Sequence, residues 1–114
     1  MSPNIDLLGD PTRRCMLALL ALEGVVCVCE FVAALEQMQP SVSRHLAMLR
    51  DGGWLISRRE GTWMHYRLAT LPKWGRTLLD ALVSGGVPPE MLREVRSRLA
   101  AFPGGPPRAI GRVA

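Results

Sequence analysis

A chain of 114 residues, 48% apolar and 21% charged, has the composition of one globular domain, too short for two independent cores and too apolar for an unfolded segment. Its longest apolar run, Met16 to Leu22, falls well short of the roughly 18–20 residues of a membrane span, and neither a leader pattern nor a disulfide framework is legible in its N-terminus or its three cysteines. The net charge of +4 divides into −3 over residues 1–40, +5 over 41–76 and +2 over 77–114, so we expect a reduced, cytoplasmic binding module with a cationic middle and no membrane partner.

The predicted elements are mostly helical. Asp10-Pro11-Thr12 reads as a helix start, with an acidic N-cap and proline at the first helical position. That helix carries the buried Met16–Leu22 stretch and stops at Gly24. A second helix has Val28, Phe31, Val32 and Leu35 at i, i+3, i+4, i+7, which predicts one buried stripe. Gln37 to Gln39 reads as a turn, and Pro40-Ser41 opens a third helix in which Val42, Leu46 and Leu49 face inward. It closes at Gly52-Gly53. The period then switches to two: Trp54 to Arg59 and Trp63 to Leu68 alternate around Glu60-Gly61-Thr62, which predicts a β-hairpin. Pro72 to Leu82 forms a fourth helix with Trp74, Leu78, Leu79 and Leu82 on one side. Pro88 to Phe102 forms a fifth with Met91, Leu92, Val95 and Leu99 buried. The fold class is therefore mainly α with one β-hairpin. Residues 1–102 make the domain, and 103–114, rich in Pro, Gly and Arg, read as a disordered tail.

Two short helices, a tight turn and a hairpin follow the order of a winged helix-turn-helix. On the third helix Gln39, Ser41, Ser43, Arg44 and His45 form the exposed N-terminal part, short polar groups plus one guanidinium. Such a helix end fits the major groove and favours phosphate. Capping by Ser41 and Ser43, or contact of His45 with a neighbouring helix, would account for the same residues more plainly. The hairpin adds Arg58, Arg59 and Arg67. Alternation turns Met64, Tyr66 and Leu68 inward and Trp63, His65 and Arg67 outward, although Trp63 fits the core equally well. Thirteen of the fourteen basic residues are Arg, the side chain suited to phosphates and guanine edges. From charge alone, a solvated basic face reads the same way.

From Leu8 to Leu68 the chain resembles the ArsR/SmtB family of bacterial metal-sensing repressors. The resemblance rests on Leu8-Gly9-Asp10-Pro11-Thr12-Arg13, Val26-Cys27-Val28-Cys29-Glu30-Phe31, Gln39-Pro40-Ser41-Val42-Ser43-Arg44-His45-Leu46, Leu49-Arg50-Asp51-Gly52-Gly53 and Arg59 through Leu68. It implies a homodimer that binds double-stranded operator DNA and leaves it when a metal or metalloid binds. The family dimerises through terminal helices. The region before Asp10 is short, so dimerisation is expected to lean on the helices after Pro72.

Cys27-Val28-Cys29 is the chemically suggestive pair, since thiolates are soft ligands for thiophilic ions. In a regular helix i and i+2 point about 200° apart, so joint ligation requires the chain to leave helical geometry there. A helix N-terminus is also expected to lower a thiol pKa. Read as composition alone, both cysteines are small apolar residues in a valine-rich run. The resemblance is to the arsenic-responsive branch and implies As(III) or Sb(III) as inducer. Two departures stand out: Glu30 occupies a position where many relatives have Asp, and Val32 stands where relatives often have a further Cys. A third ligand is then sought in Cys15, from this protomer or its partner, or in a small-molecule thiol; Cys15 as a plain helix residue is the simpler reading. Cd(II) or Pb(II) sensing in the family adds cysteines from the N-terminal arm, and none precede Cys15. Zinc sensing uses Asp and His on the C-terminal helix, where residues 72–85 offer only Asp80.

The expectation is a transcriptional repressor. A thiol redox switch on the same frame, with Cys27 and Cys29 oxidised, or a Cd(II)/Pb(II) sensor, is the alternative. An enzyme is not expected: there is no Cys-x-x-Cys, Ser-His-Asp pattern or phosphate loop, and both histidines lie in the DNA-facing region.

Overall fold

The computed structural model describes residues 2–106 of the chain. Helix α1 (Pro11–Glu23) is the central rod. The Asp10 carboxylate accepts the Arg13 amide at 3.0 Å, and Gly24, at φ 86°, ends the helix by donating its amide to the Leu20 carbonyl. Six consecutive residues, Cys15 to Leu20, are buried. A helix apolar on all sides must be covered on all sides. The predicted buried run extended to Leu22, but Ala21 is exposed and Leu22 half-buried, because α1 emerges from the core in its last turn.

Strand β1 (Val26–Cys27) leads directly into α2 (Val28–Leu35), and α3 (Gln39–Asp51) follows after a three-residue turn. The hairpin is β2 (Leu55–Glu60) and β3 (Trp63–Leu68). Gly61, at φ 61°, supplies the positive φ that a two-residue hairpin turn requires. Helices α4 (Lys73–Ala81) and α5 (Pro89–Ala101) are joined through a wide helical turn at Leu82–Gly86. The arrangement is a winged helix-turn-helix.

The sheet has three strands, not the two of the predicted hairpin. Its order is β1-β3-β2, all antiparallel, with Val26 opposite Tyr66 and Cys27 opposite His65. A two-residue strand is too short to show a period of two, which is why only its partners were legible. Its consequence is large, since it fastens the cysteine pair to the wing.

Three burial expectations are corrected. In α2 the buried face is Glu30, Phe31 and Ala34, while Val28, Val32 and Leu35 are half-buried. Trp74 is 40% exposed, because Gly75 and Leu79 face the core instead; its ring meets Trp54 edge-on, with centroids 6.0 Å apart at 88°. Met91 is 39% exposed at the start of α5, where only Leu92, Val95 and Leu99 turn inward.

The N-terminal segment closes the far end of α3. A 3-10 turn at Ile5–Gly9 lies against Gly52 through Leu7, Pro3 lies against Gly53, and the Asn4 amide donates to the Gly52 carbonyl at 2.8 Å. The Trp54 indole donates to the Asn4 carbonyl at 2.7 Å. Gly53 has φ 87°, and a Cβ there would sit 3.3 Å from Pro3 Cα. Gly53→Ala is therefore expected to cost about 1–3 kcal/mol, read as a lowered urea midpoint; an unchanged midpoint would show that this strap does not hold α3. Residues 103–106 turn back from α5 towards the start of α2 with Pro106 buried, and 107–114, the rest of the expected tail, lie outside the described residues.

Candidate metalloid box and DNA-binding face

Cys27 is not inside a helix. It is the last residue of β1 and the N-cap of α2, with extended φ/ψ of −91° and 165°. The divergence expected of i and i+2 helical positions therefore does not arise: Cys27 Sγ and Cys29 Sγ lie 2.8 Å apart. The chain has already left helical geometry where joint ligation requires it. Cys27 is fully buried and Cys29 half-buried, so one face of the pair is open. Gly105 passes over the box, and a Cβ on it would lie 3.5 Å from Cys29 Sγ.

The local geometry is held by Glu30, whose role the sequence reading missed. Its carboxylate is fully buried and accepts the Cys27 amide at 3.0 Å, while the Cys27 thiol faces the Glu30 amide. This is the reciprocal arrangement of a capping box, with cysteine in the usual place of serine. The x-x-Glu spacing after Cys27 carried that signal, hidden by the unusual cap residue.

Burial also reverses the expected thiol chemistry. Desolvation and then the hydrogen bond with Cys29 push the Cys27 thiol up to about 12, with the Glu30 amide opposing. Cys15 is pushed up to about 11 by burial, partly offset by the Arg98 guanidinium. A helix N-terminus lowers a pKa only where the anion keeps some solvation, and Cys27 keeps none. Both thiols hold their protons in the folded chain beyond the ordinary value of 9.0. Their contribution to stability is full below about pH 9 and lost as pH rises through the folded values. Cys15 alone is expected to remove roughly 2–3 kcal/mol by about pH 11. Urea midpoints measured across that range should fall, and a level profile would contradict the burial of both protons.

The structure does not bring Cys15 to the pair. It lines a separate cavity of about 210 Å³ between α1 and α5, with Leu35, Gln37 and Arg98. Among the described residues no group of three His, Cys, Asp or Glu side chains is arranged to hold a metal ion. The box offers two converging sulfurs.

The DNA-facing candidates lie on α3 and the wing. Gln39, Ser43 and Arg44 are exposed; Ser41 and His45 are half-buried. Ser41 Oγ donates to Gln37 Oε1 at 3.4 Å, and Gln37 Nε2 donates to Thr12 Oγ1 at 3.0 Å. His45 receives Arg13 Nη1 on its Nδ1 at 3.1 Å. The sharp turn before α3 depends on Glu36, a non-glycine residue at φ 53°. Beside that turn, Arg98 of α5 donates to the Ala34 carbonyl at 2.8 Å and lies 3.7 Å from the Glu36 carboxylate.

The three wing arginines do not share a face. Cross-strand pairing puts Arg58 opposite His65 and Ile56 opposite Arg67, on the outer face of the sheet. Arg59 stands opposite Met64, on the face that turns towards the core, and is exposed near the hairpin tip. On the outer face Arg58 and His65 both approach the Glu60 carboxylate, at 3.8 and 3.4 Å. Arg13 is the other residue that sequence reasoning missed. A cation in the first turn opposes the helix dipole, and that local conflict in Arg13-Arg14 was the available signal. Both chains turn back to carbonyls of the N-terminal segment, Arg13 Nε to Leu7 and Arg14 Nη1 to Leu8, each at 2.7 Å.

Comparison with known proteins shows what the chain is similar to. Residues 10–56 match the bacterial regulatory protein arsR family. The chain is 45% identical over 75 residues to the arsenical resistance operon repressor of Escherichia coli, covering 65% of this chain and 64% of that protein. It is 49% identical over 81 residues to an arsenic resistance transcriptional regulator of Pseudomonas putida, covering 70% and 60%. The chain thus spans about three fifths of the length of these two relatives. Among solved structures, the transcriptional regulator HlyU from Vibrio vulnificus superposes with a TM-score of 0.62 at 26% identity, covering 70% of this chain and 80% of that one. A possible transcriptional regulator for arsenical resistance gives 0.56 at 28%, covering 82% and 93%.

Proposed function

We propose, from the match of residues 10–56 to the bacterial regulatory protein arsR family, that the chain is a cytoplasmic, homodimeric repressor that binds double-stranded operator DNA and releases it when As(III) or Sb(III) binds Cys27 and Cys29. In this reading Gln39, Ser41, Ser43, Arg44 and His45 enter the major groove, and Arg58, Arg59 and Arg67 of the wing follow the adjacent backbone. A second copy supplies the other half-site, since one recognition helix covers only half of a palindrome.

One observation carries the sensing half. Cys27 is at once the cap of α2 and the β1 residue paired with His65 of the wing. A ligand that bridges Cys27 and Cys29 therefore acts on the helix-turn-helix and the wing through one residue. That is the differential contact which a coupling between two sites requires.

The proton that burial holds on Cys27 favours a neutral oxyacid over a divalent cation. With As(OH)₃, two S–H bonds and two As–O bonds break, two As–S bonds form, and the protons leave with the hydroxyls as two waters. Cd(II) or Pb(II) must instead expel the protons of both thiols, and burial makes that of Cys27 hard to lose. Calorimetric titrations in buffers of different ionisation enthalpy test this. Arsenite is expected to bind with no net proton release, and cadmium to bind weakly with release of protons. Tighter cadmium binding would reverse the assignment.

The 2.8 Å contact between the sulfurs also favours a second reading, in which hydrogen peroxide oxidises the pair to a disulfide with release of two waters. It ranks lower because the attacking species is a thiolate, and burial keeps Cys27 protonated. Mass spectrometry of peroxide-treated protein, beside an arsenite titration, separates the two.

A further inference from the structure

We propose that His45 is a specificity-determining residue that meets a base edge as a neutral donor through Nε2, and that Arg13, a residue of α1, is the positioning residue that fixes this tautomer. The inference rests on the operator-binding reading above and assigns a donor, an acceptor class and a support to one of its residues.

The tautomer follows from the hydrogen bond. A guanidinium has five N–H donors, no acceptor, and does not lose its proton in proteins. Arg13 Nη1 lies 3.1 Å from His45 Nδ1, so Nδ1 must be the acceptor. A neutral imidazole has one ring proton, which then resides on Nε2. The ring is half-buried, and among the described residues Nε2 is neither enclosed nor partnered. The remaining donor is presented on the α3 face that carries Ser41 and Arg44. A single N–H donor in the major groove finds purine N7, guanine O6 or thymine O4.

Arg13 is itself held in place. Its Nε donates to the Leu7 carbonyl at 2.7 Å, its amide to Asp10 Oδ2 at 3.0 Å, and Nη1 also reaches Met48 Sδ at 3.7 Å. It therefore ties the N-terminal turn, α1 and two residues of α3 together. The charged groups facing His45 are Asp10 and Arg13 from α1 and Arg44 from its own helix. Burial lowers the His45 pKa below the ordinary 6.5; Asp10 opposes this, and Arg13 and Arg44 add to it. Acid puts a second donor on Nδ1, directly against a guanidinium, and the contact is lost.

The readout is the ratio of operator to non-specific affinity. An added positive charge strengthens binding to all DNA, whereas a misplaced base contact weakens only the operator. The operator is obtained by letting the protein select from randomised duplexes. The ratio is expected to fall, by up to about tenfold once the ring is fully protonated, as pH drops from about 8 through the lowered range in which His45 titrates. His45→Asn is expected to lose about tenfold at the upper pH and to remove the pH dependence. His45→Gln, whose amide nitrogen reaches closer to the Nε2 position, is expected to lose less than His45→Asn. Arg13→Met should move the acid drop to higher pH. Long-range proton–nitrogen correlation spectra of the free chain should show His45 protonated at Nε2, with the Nδ1–H form appearing in Arg13→Met.

An Nδ1–H ring in the unmodified chain would overturn the proposal. So would operator and non-specific affinities that fall together in the His45 variants, the result for a phosphate contact. A chain that selects no sequence from the pool would overturn the operator reading itself, before any variant is made.

Discussion

Serine at position 27 or at position 29 is expected to abolish arsenite-induced release of operator DNA while leaving the metalloid-free complex in place. Coupling between two sites is typically about 1–3 kcal/mol, a weakening of about 5- to 150-fold, and this is the change expected for the unmodified chain when arsenite is added. Either single substitution removes one of the two sulfurs that must converge, so the shift should shrink to less than about twofold. The box lies at the junction of β1 and α2, away from the exposed residues of α3. Loss of release with DNA affinity retained therefore separates sensing from binding. Fluorescence anisotropy of a labelled operator, with and without arsenite, reads both. Release by arsenite at unchanged concentration in both variants would remove the sensing role of the pair.

Arg44→Ala is the second large effect. Arg44 is exposed on α3, and no ion pair is formed by it among the described residues, whereas Arg58 approaches Glu60 and Arg98 approaches Glu36. A guanidinium that reads a base is worth about 1–3 kcal/mol of discrimination, so operator affinity should fall about 5- to 150-fold with little change on unrelated duplexes. A contact to phosphate alone would weaken binding equally on all sequences and lower the salt dependence by about one ion. Operator and unrelated DNA titrated at two salt concentrations distinguish these outcomes. Loss of Arg59, exposed near the tip of the wing, is expected to follow the second pattern.

The helices were legible because each has a strong local signal. Asp10-Pro11 and Gly24 bound α1, Val42, Leu46 and Leu49 define the inner side of α3, and Gly61 marks the hairpin. What escaped was set by tertiary context. A two-residue strand has no period, so β1 was invisible until β3 lay beside it, and Cys27 was read as a helical residue rather than a cap. The 200° step between i and i+2 of a regular helix therefore placed the sulfurs apart. The Cys27 pKa was misjudged for a related reason, since the electrostatics of a helix end are local in sequence and burial is not. Trp74 and Met91 were assigned to the core by hydrophobicity, although an amphipathic helix also leaves some large apolar groups outside. Glu30 and Arg13 each broke a local rule, a carboxylate in an apolar run and a cation at a helix N-terminus. Both hold candidate site residues in place, Cys27 and His45 respectively.

The central claim is that capture of a metalloid by Cys27 and Cys29 and release of DNA are one event. Its most direct test is a titration of the unmodified operator complex with arsenite, following anisotropy and, on the same samples, arsenic bound per chain by native mass spectrometry. The account predicts that anisotropy falls to that of free DNA as occupancy approaches one arsenic per chain. A complex that is fully loaded with arsenic and still bound to its operator would contradict it.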